Sequence, residues 1–217
     1  MDGLSLRPRP LQRAAMSEPA RRRRLDPQVR RDLILDEAAR VVLEEGLSAV
    51  SMEGIGRAAG VSKALVYNYF PSKSALLSEL LIREYQNFRT RARAAAEGAT
   101  DFESLIRSTT RAYLEHVAQH GALIQKLLGE PLAAQAIRSA EALGRESTVG
   151  FFGRAVEREF GLAPNTAATV SDLLMGLTSA AGDHLVRYGD DLAQVEDIVV
   201  EMIMAALRQV AAARRSG

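Results

Sequence analysis

The sequence predicts an all-α protein, and three observations lead to this prediction. Apolar residues recur at three- and four-residue intervals from Pro27 almost to the end of the chain, as they do on the buried face of a helix. The alternation of apolar and polar residues that marks strands is absent. Aromatic residues make up only 5% of the sequence, whereas 47% of its 217 residues are hydrophobic. A length of 217 residues suits one large domain or two small ones.

Residues 1–27 are predicted to be a disordered basic tail. They contain scattered prolines and the run Arg21-Arg22-Arg23-Arg24, and little in them could pack into a core. The arginines have two interpretations, a solvated tail or an arm that adds contacts to a polyanion such as DNA. Met16 is an alternative start to Met1, which would remove the first fifteen residues.

Four helices are predicted in the next part of the chain. Glycine ends the first helix, and serine caps begin the other three. The predicted bounds are Pro27 to Gly46, Ser51 to Ala59, Ser62 to Tyr69, and Ser72 to about Ala96. The second and third helices are too short to be stable alone, so the four must share a core.

Five more helical segments follow. Capping residues, glycines and prolines place them at 101–120, 122–128, 132–160, 164–188 and 190–213, with Gly144, Gly150 and Gly153 as possible kinks in the third. The last two segments are strongly apolar. They are predicted to supply half of an intermolecular four-helix bundle, although both could also pack only within the subunit.

Composition excludes most catalytic chemistry. The chain has no cysteine and three histidines, and it lacks a glycine-rich phosphate loop and a G-x-S-x-G turn. His116 and His120 have the i, i+4 spacing of metal ligands but no convincing third partner, and His120 is expected to contact the carbonyls at a helix end. We therefore expect no enzyme, no cofactor and no metal site.

The chain is also expected to be cytoplasmic and associated with the nucleoid. No apolar run reaches the roughly 18–20 residues that span a membrane, and the start lacks the apolar core of a secretion signal.

Residues 51–70, SMEGIGRAAGVSKALVYNYF, are predicted to form a helix-turn-helix. The pair Ala58-Ala59 would let the two helices cross closely, and Gly60 would take the positive φ of the turn. The residues expected to be buried are Ile55, Ala59, Val61, Val66 and Phe70. The second helix would then project outward, with a width that fits a DNA major groove.

Two lysines strengthen this prediction. Lys63 and Lys73 each follow a serine cap, so each places a cation in the first turn of a helix, where the helix dipole disfavours it unless a phosphate is near. Residues 1–75 also carry 13 basic and 9 acidic residues, against 15 and 18 in the remainder. Tyr67, Asn68 and Tyr69 add polar groups that bond phosphates or bases, and Leu65 is expected on the exposed face.

The stretch 31–77 resembles the DNA-binding domain of the TetR family of transcriptional regulators. The matching features are Ile34-Leu35, Ala38, Gly46, Ser51, Ile55, Ala59-Gly60-Val61-Ser62, Tyr67, Tyr69-Phe70, Ser72-Lys73 and Leu76. The resemblance implies a three-helix DNA-binding domain at 28–88, with its helix-turn-helix at 51–70, and a helical effector-binding and dimerisation domain at 89–213.

By matching positions, the resemblance also implies the roles of single residues. Phosphates would be held by Ser51, Tyr67, Tyr69 and Lys73, and bases would be faced by Lys63, Ala64, Leu65 and Asn68. The predicted DNA-binding set also includes Ser62, which caps the second helix of the helix-turn-helix, here called the reading helix. The chain departs from the family pattern at Val42, Val50, Leu65 and Glu53. Glu53 stands where some members have a base-reading basic residue, and we assign it to the charge of the helix N-terminus instead.

The resulting functional hypothesis is a ligand-responsive repressor. It would bind a palindromic operator in double-stranded DNA as a homodimer and be released by an unidentified small molecule. Apolar or amphipathic residues of the middle helices are candidates for the effector site: Tyr113, His116, Phe151, Phe152 and Met175. The alternative is a helical DNA-binding or protein-interaction module without an effector.

Overall fold

A computed structural model describes residues 26–215, except the side chain of Leu143. These residues form eight α-helices and no strand, which confirms the predicted all-α class. The helices are α1 (Pro27–Glu45), α2 (Met52–Ala58), α3 (Lys63–Tyr69), α4 (Lys73–Glu97), α5 (Phe102–Leu127), α6 (Pro131–Phe160), α7 (Pro164–Tyr188) and α8 (Leu192–Arg215), with a short 3₁₀ turn at Leu47–Ala49. The arginine run and Met16 lie outside the described residues.

The first helix begins at Pro27, where the apolar pattern predicts it, so the predicted tail at 1–27 overlaps the helix by one residue. Pro27, placed in the tail by the sequence, is the first residue of α1, and the carboxylate of Asp26 caps the helix by accepting from the Gln28 N–H at 2.8 Å. Proline suits this position because its missing N–H would have no partner in the first turn. Asp26 and Pro27 therefore belong to α1 and its cap.

The predicted caps set most of the other helix ends. Ser51, Ser62 and Ser72 begin α2, α3 and α4, and Asp101 begins α5. Their side-chain oxygens accept backbone N–H groups that would otherwise have no partner. These helix starts are confirmed.

The prediction that a helix ends at His120-Gly121 is wrong. Helix α5 continues through Gly121 to Leu127, so the separate segment at 122–128 does not exist. A Cβ built at Gly121 would lie 3.3 Å from Val186 Cγ2 of α7, so this glycine gives a neighbouring helix room to approach. Helix α6 is likewise continuous through its three glycines.

Two apolar cores organise the fold. The first is formed by α1 to α4 together with a segment that we call the α5–α6 corner, residues 123–137, which contributes Leu123, Leu127, Ala133 and Ile137. The second lies among α5 to α8. The N-terminal core is therefore completed by side chains from the C-terminal half of the chain.

Polar bonds reinforce the contact between α1, α4 and the α5–α6 corner. The Lys126 ammonium donates to the carbonyls of Val42 and Leu43 at 3.2 and 2.7 Å, at the end of α1. Ser74 Oγ donates to Glu130 Oε1 at 2.9 Å. Any shift of this corner must therefore move the first helices or break these bonds.

Among the helices in the described part of the chain, none combines the length and the hydropathy that a bilayer crossing requires.

Candidate nucleic-acid interface

The helix-turn-helix depends on the close crossing of α2 and α3. A Cβ built at Gly56 would lie 3.0 Å from the Val61 carbonyl oxygen and 3.1 Å from Val66 Cγ2, so only glycine fits without a shift. Ala58, which the sequence predicted to allow this crossing together with Ala59, is exposed. Gly60 has the predicted positive φ, 68°. The small residue that the crossing needs is thus Gly56.

Helix α3 presents one face to the core and one to solvent. Val66 and the following Phe70 are buried, with 0% and 1% exposed surface. On the opposite face the side chains of Lys63, Ala64, Tyr67 and Asn68 are exposed. Leu65 was predicted on the exposed face but is half-buried, since it lies at the boundary of the two. None of residues 26–215 covers the outer face of α3.

Three serines cap helices in this region, and two of them, Ser51 and Ser62, are predicted to contact DNA. Ser51, Ser62 and Ser72 accept N–H groups of Gly54, Leu65 and Ala75 at 3.1, 3.2 and 3.0 Å. Each hydroxyl still has its own proton, which can be donated to a phosphate oxygen. Capping and phosphate binding are therefore compatible, and Ser51 and Ser62 stay in the predicted set.

Two of the residues predicted to hold phosphates are engaged within the fold. The half-buried Lys73 donates to the carbonyl of Leu47, in the 3₁₀ turn, and the hydroxyl of Tyr69 accepts from Arg30 Nη1 at 3.5 Å. An ammonium has three protons, so Lys73 can keep this bond and still contact a phosphate. No local pattern predicts the Leu47 contact, because it joins segments 26 residues apart.

Helices α2 and α3 form a charged cluster that was not predicted from the sequence. Glu53 Oε1 lies 3.4 Å from Arg57 Nη2, and Glu53 Oε2 lies 3.7 Å from Lys63 Nζ. These three residues line one open groove with Ser51 and Tyr67. Glu53 does lie in the first turn of α2, as predicted, and the i, i+4 spacing of Glu53 and Arg57 was the available sequence signal for their pair.

Two of the predicted effector residues lie beside α4. The rings of Tyr113 and His116 on α5 flank Phe88 of α4, with centroids 5.6 and 5.2 Å from it. Burial lowers the pKa of His116 to about 4, with His120 and Arg91 acting in the same direction. Burial also raises the pKa of Tyr113. The Nδ1 atom of His116 is buried and has no hydrogen-bond partner within the described part of the chain.

The other effector candidates are more dispersed. Phe151 and Phe152 stack edge to face at 5.3 Å, but Phe152 packs against the second core while Phe151 is 41% exposed. Phe151 lines an open groove with Phe102 and Arg158 that includes none of the other candidates. Met175 is half-buried on α7. The structure thus groups Tyr113 with His116 and separates them from Phe151.

His120 does not contact a helix end, contrary to the prediction. Because α5 continues past Gly121, His120 lies within the helix, where its ring stacks on His116 at 4.8 Å and Nδ1 lies 3.0 Å from Glu84 Oε2 of α4. Over residues 26–215, no three His, Cys, Asp or Glu side chains are arranged to hold a metal ion.

Comparison with known proteins connects this geometry to a function. The model of the family "Bacterial regulatory proteins, tetR family" matches residues 34–80. The transcriptional activator FasR of Mycolicibacterium smegmatis is 28% identical over 170 residues, which cover 76% of this chain and 74% of FasR. The transcriptional repressor KstR of Mycobacterium tuberculosis is 38% identical over 77 residues, so this chain spans about a third of KstR, 35%.

The likeness also extends to solved structures. A TetR-like transcriptional regulator from Rhodococcus sp. RHA1 superposes with a TM-score of 0.66 and 20% identity, covering 85% of this chain and 99% of that one. At this identity the match establishes the fold, a helix-turn-helix followed by a helical C-terminal domain. The similar proteins are transcription regulators and not enzymes.

Proposed function

This chain belongs to the TetR family of DNA-binding transcriptional regulators, and from that premise we propose that it is a ligand-responsive repressor. It binds a palindromic operator as a homodimer and leaves it when a small-molecule effector binds. The observation that carries the proposal is the outer face of α3, where Lys63, Tyr67 and Asn68 are exposed among the described residues. A helix exposed in this way fits the major groove and offers donors to bases and phosphates.

An apolar outer surface supports the homodimer. Leu173 on α7 and Ile198 and Met202 on α8 are 69%, 49% and 49% exposed, large values for such side chains. Gly176, Ala180 and Ala205 extend this surface with small residues. We call these six residues the α7–α8 face. Two copies of the face can form a four-helix bundle around a two-fold axis.

The apolar residues of α8 fall into two groups that the sequence does not distinguish. Val199, Ile203 and Leu207 fill the second core of their own subunit. Helix α8 therefore has one apolar side for its own subunit and a second for a partner copy. The proposed dimer contact therefore rests on the exposed apolar residues of these helices, and not on the residues that fill the core.

The two-fold axis determines the operator. A dimer places two reading helices on half-sites about one helical turn, roughly 34–36 Å, apart, so the operator is an inverted repeat. Repression is the simpler outcome, since a dimer bound across promoter DNA obstructs the polymerase. Among the relatives, KstR is named a repressor and FasR an activator.

The cluster of Phe88, Tyr113 and His116 supports an effector site beside α4. Helix α4 leads from the first three helices, α1 to α3, which we call the reading head, into the C-terminal half. A ligand that separates α4 from α5 therefore changes the position of the reading head. The buried Nδ1 of His116, which no described residue bonds, offers such a ligand a polar contact beside the ring of Phe88.

Operator selection and ligand screening test the proposal together. The full chain is used to select duplexes from a random pool, and its melting temperature is then measured against a metabolite library. We expect an inverted repeat, and at least one metabolite that raises the melting temperature and abolishes operator binding. Operator binding that no stabilising metabolite weakens would favour the alternative, a DNA-binding module without an effector.

A further inference from the structure

Glu53 is an acidic residue that lies among the side chains proposed to contact DNA. It lies in the first turn of α2 with 62% of its side chain exposed, in the same groove as Lys63 and Tyr67. A bare carboxylate in this position would be repelled by DNA phosphates. Its two cationic neighbours change this balance, because Glu53, Arg57 and Lys63 together carry a net charge of +1.

The ion pairs of Glu53 are loose. Its oxygens lie 3.4 and 3.7 Å from Arg57 and Lys63, whereas charge-assisted hydrogen bonds are typically about 2.7–2.9 Å. Another exposed i, i+4 pair of this chain, Arg93 and Glu97, has a distance of 2.7 Å. The Glu53 carboxylate is thus compensated in charge while it keeps its capacity to accept hydrogen bonds.

We propose that Glu53 is a specificity-determining residue that accepts a hydrogen bond from the exocyclic amino group of a cytosine in the operator. Glutamate accepts from cytosine N4 in the major groove, and lysine donates to guanine O6 or N7. Side by side at the crossing of α2 and α3, Glu53 and Lys63 read cytosine and guanine edges. This inference rests on the DNA-binding function of the chain and adds a residue to it.

A different role for Glu53 would be to mask the charge of Arg57 and Lys63. Masking weakens binding to every sequence equally, because phosphates carry no base identity. Base reading instead acts at one position of each half-site. The two roles therefore differ in the sequence preference of a variant and not in its affinity alone.

The test compares operators selected from a random duplex pool by the full-length wild type, E53A and E53Q. The wild type is expected to select cytosine at one position of each half-site. In E53A the preference for cytosine over other bases at that position should fall about five- to 150-fold per half-site. In E53Q the preference should move to adenine, because glutamine bonds adenine N6 and N7. The rest of the operator should stay the same.

The matched control is E97A, which removes another exposed glutamate from an i, i+4 pair with arginine. Glu97 ends α4, which at about 1.5 Å per residue places it far from α3. E97A should select the wild-type operator. Thermal melting of each variant verifies that it is folded.

Two results would overturn the inference. If E53A tightens binding to all duplexes and selects the wild-type operator, Glu53 only masks charge. If the wild type selects an inverted repeat without a cytosine that depends on Glu53, base reading by this residue is excluded while the proposed function stands. A wild type that selects no sequence would reject the proposed function itself, and this inference with it.

Discussion

At the scale of single residues, Lys73 combines two tasks. It holds the carbonyl of Leu47 and stands beside the cap of α4, where the sequence predicts a phosphate. We expect K73A to weaken binding to all duplexes and to reduce the slope of log affinity against log salt by about one unit per bound protomer. Fluorescence anisotropy over a series of salt concentrations measures this slope.

Lys126 provides the control for Lys73. Its ammonium also bonds backbone carbonyls, those of Val42 and Leu43, but it lies on α5. K126A should cost stability, of the order of 1 kcal/mol for a lost hydrogen bond, and leave the salt slope unchanged. An equal loss of slope in both variants would show that the effect of K73A is structural and would remove Lys73 from the phosphate contacts.

His116 gives the protein a dependence of stability on pH. Burial, helped by His120 and Arg91, lowers its pKa to about 4 in the folded state, against the ordinary histidine pKa of 6.5. Between these values the unfolded chain binds a proton that the folded chain excludes. The free energy of unfolding should therefore fall as pH drops from about 6.5 to about 4, by up to about 1.4 kcal/mol per pH unit.

Urea unfolding at pH 7, 6 and 5 measures this dependence. In H116Q the group that titrates is absent, so the decrease below pH 6.5 should become smaller by the contribution of His116. Identical pH dependences of wild type and H116Q would contradict the assignment.

At the scale of helices, the crossing of α2 and α3 is the most sensitive contact. G56A brings a Cβ to 3.0 Å from a backbone carbonyl, which cannot move aside as the end of a side chain can. Overpacking typically costs about 1–3 kcal/mol, and the better helix propensity of alanine recovers about 1 kcal/mol. We expect a net loss of stability of up to about 2 kcal/mol, measured by thermal or urea unfolding.

Gly150 in α6 provides the comparison. The nearest atom to a Cβ built there is Arg154 Nη1 at 3.4 Å, the end of a flexible side chain. G150A should be neutral or stabilise the protein by up to about 1 kcal/mol. If both variants lose stability to the same extent, the close crossing at Gly56 is not the cause.

Most helix ends could be predicted because their causes are local. A serine or aspartate cap with its N–H partner three residues later is encoded within one turn, and so are the glycines that end α6 and α7. Gly121 was misjudged because a glycine that ends a helix and one that admits a neighbouring helix look the same in sequence. The distinguishing fact, the position of Val186, lies 65 residues further along the chain.

The same limit applies to the candidate site. The outward residues of α3 were predictable, because Val66 and Phe70 take the core side of a short helix. The partners of Glu53, Lys73 and His120 were not fully predictable, since Lys63, Leu47 and Glu84 approach them only in the folded chain.

At the scale of the whole molecule, the α7–α8 face is expected to join two copies of the chain. An arginine introduced for Leu173 or Met202 would be buried without a partner in the bundle, a cost that an exposed position does not have. L173R and M202R should therefore be monomeric in light scattering after size exclusion, and should bind the full operator more weakly than the wild type.

Leu132 on α6 is the matched control, because it is a leucine with 57% exposure outside the α7–α8 face. L132R should remain dimeric and keep its operator affinity. A dimeric L173R, or a monomeric L132R, would place the contact between protomers elsewhere.

The shared N-terminal core limits how this regulator can be recombined with others. The apolar core of the N-terminal helices is completed by residues that follow these helices in the sequence: Leu123, Leu127, Ala133 and Ile137. In a chimaera that joins residues 26–97 to the C-terminal helices of another regulator, the N-terminal core would pack against side chains that do not match it. Exchange of operator specificity between such proteins should succeed when the α5–α6 corner is transferred together with residues 26–97.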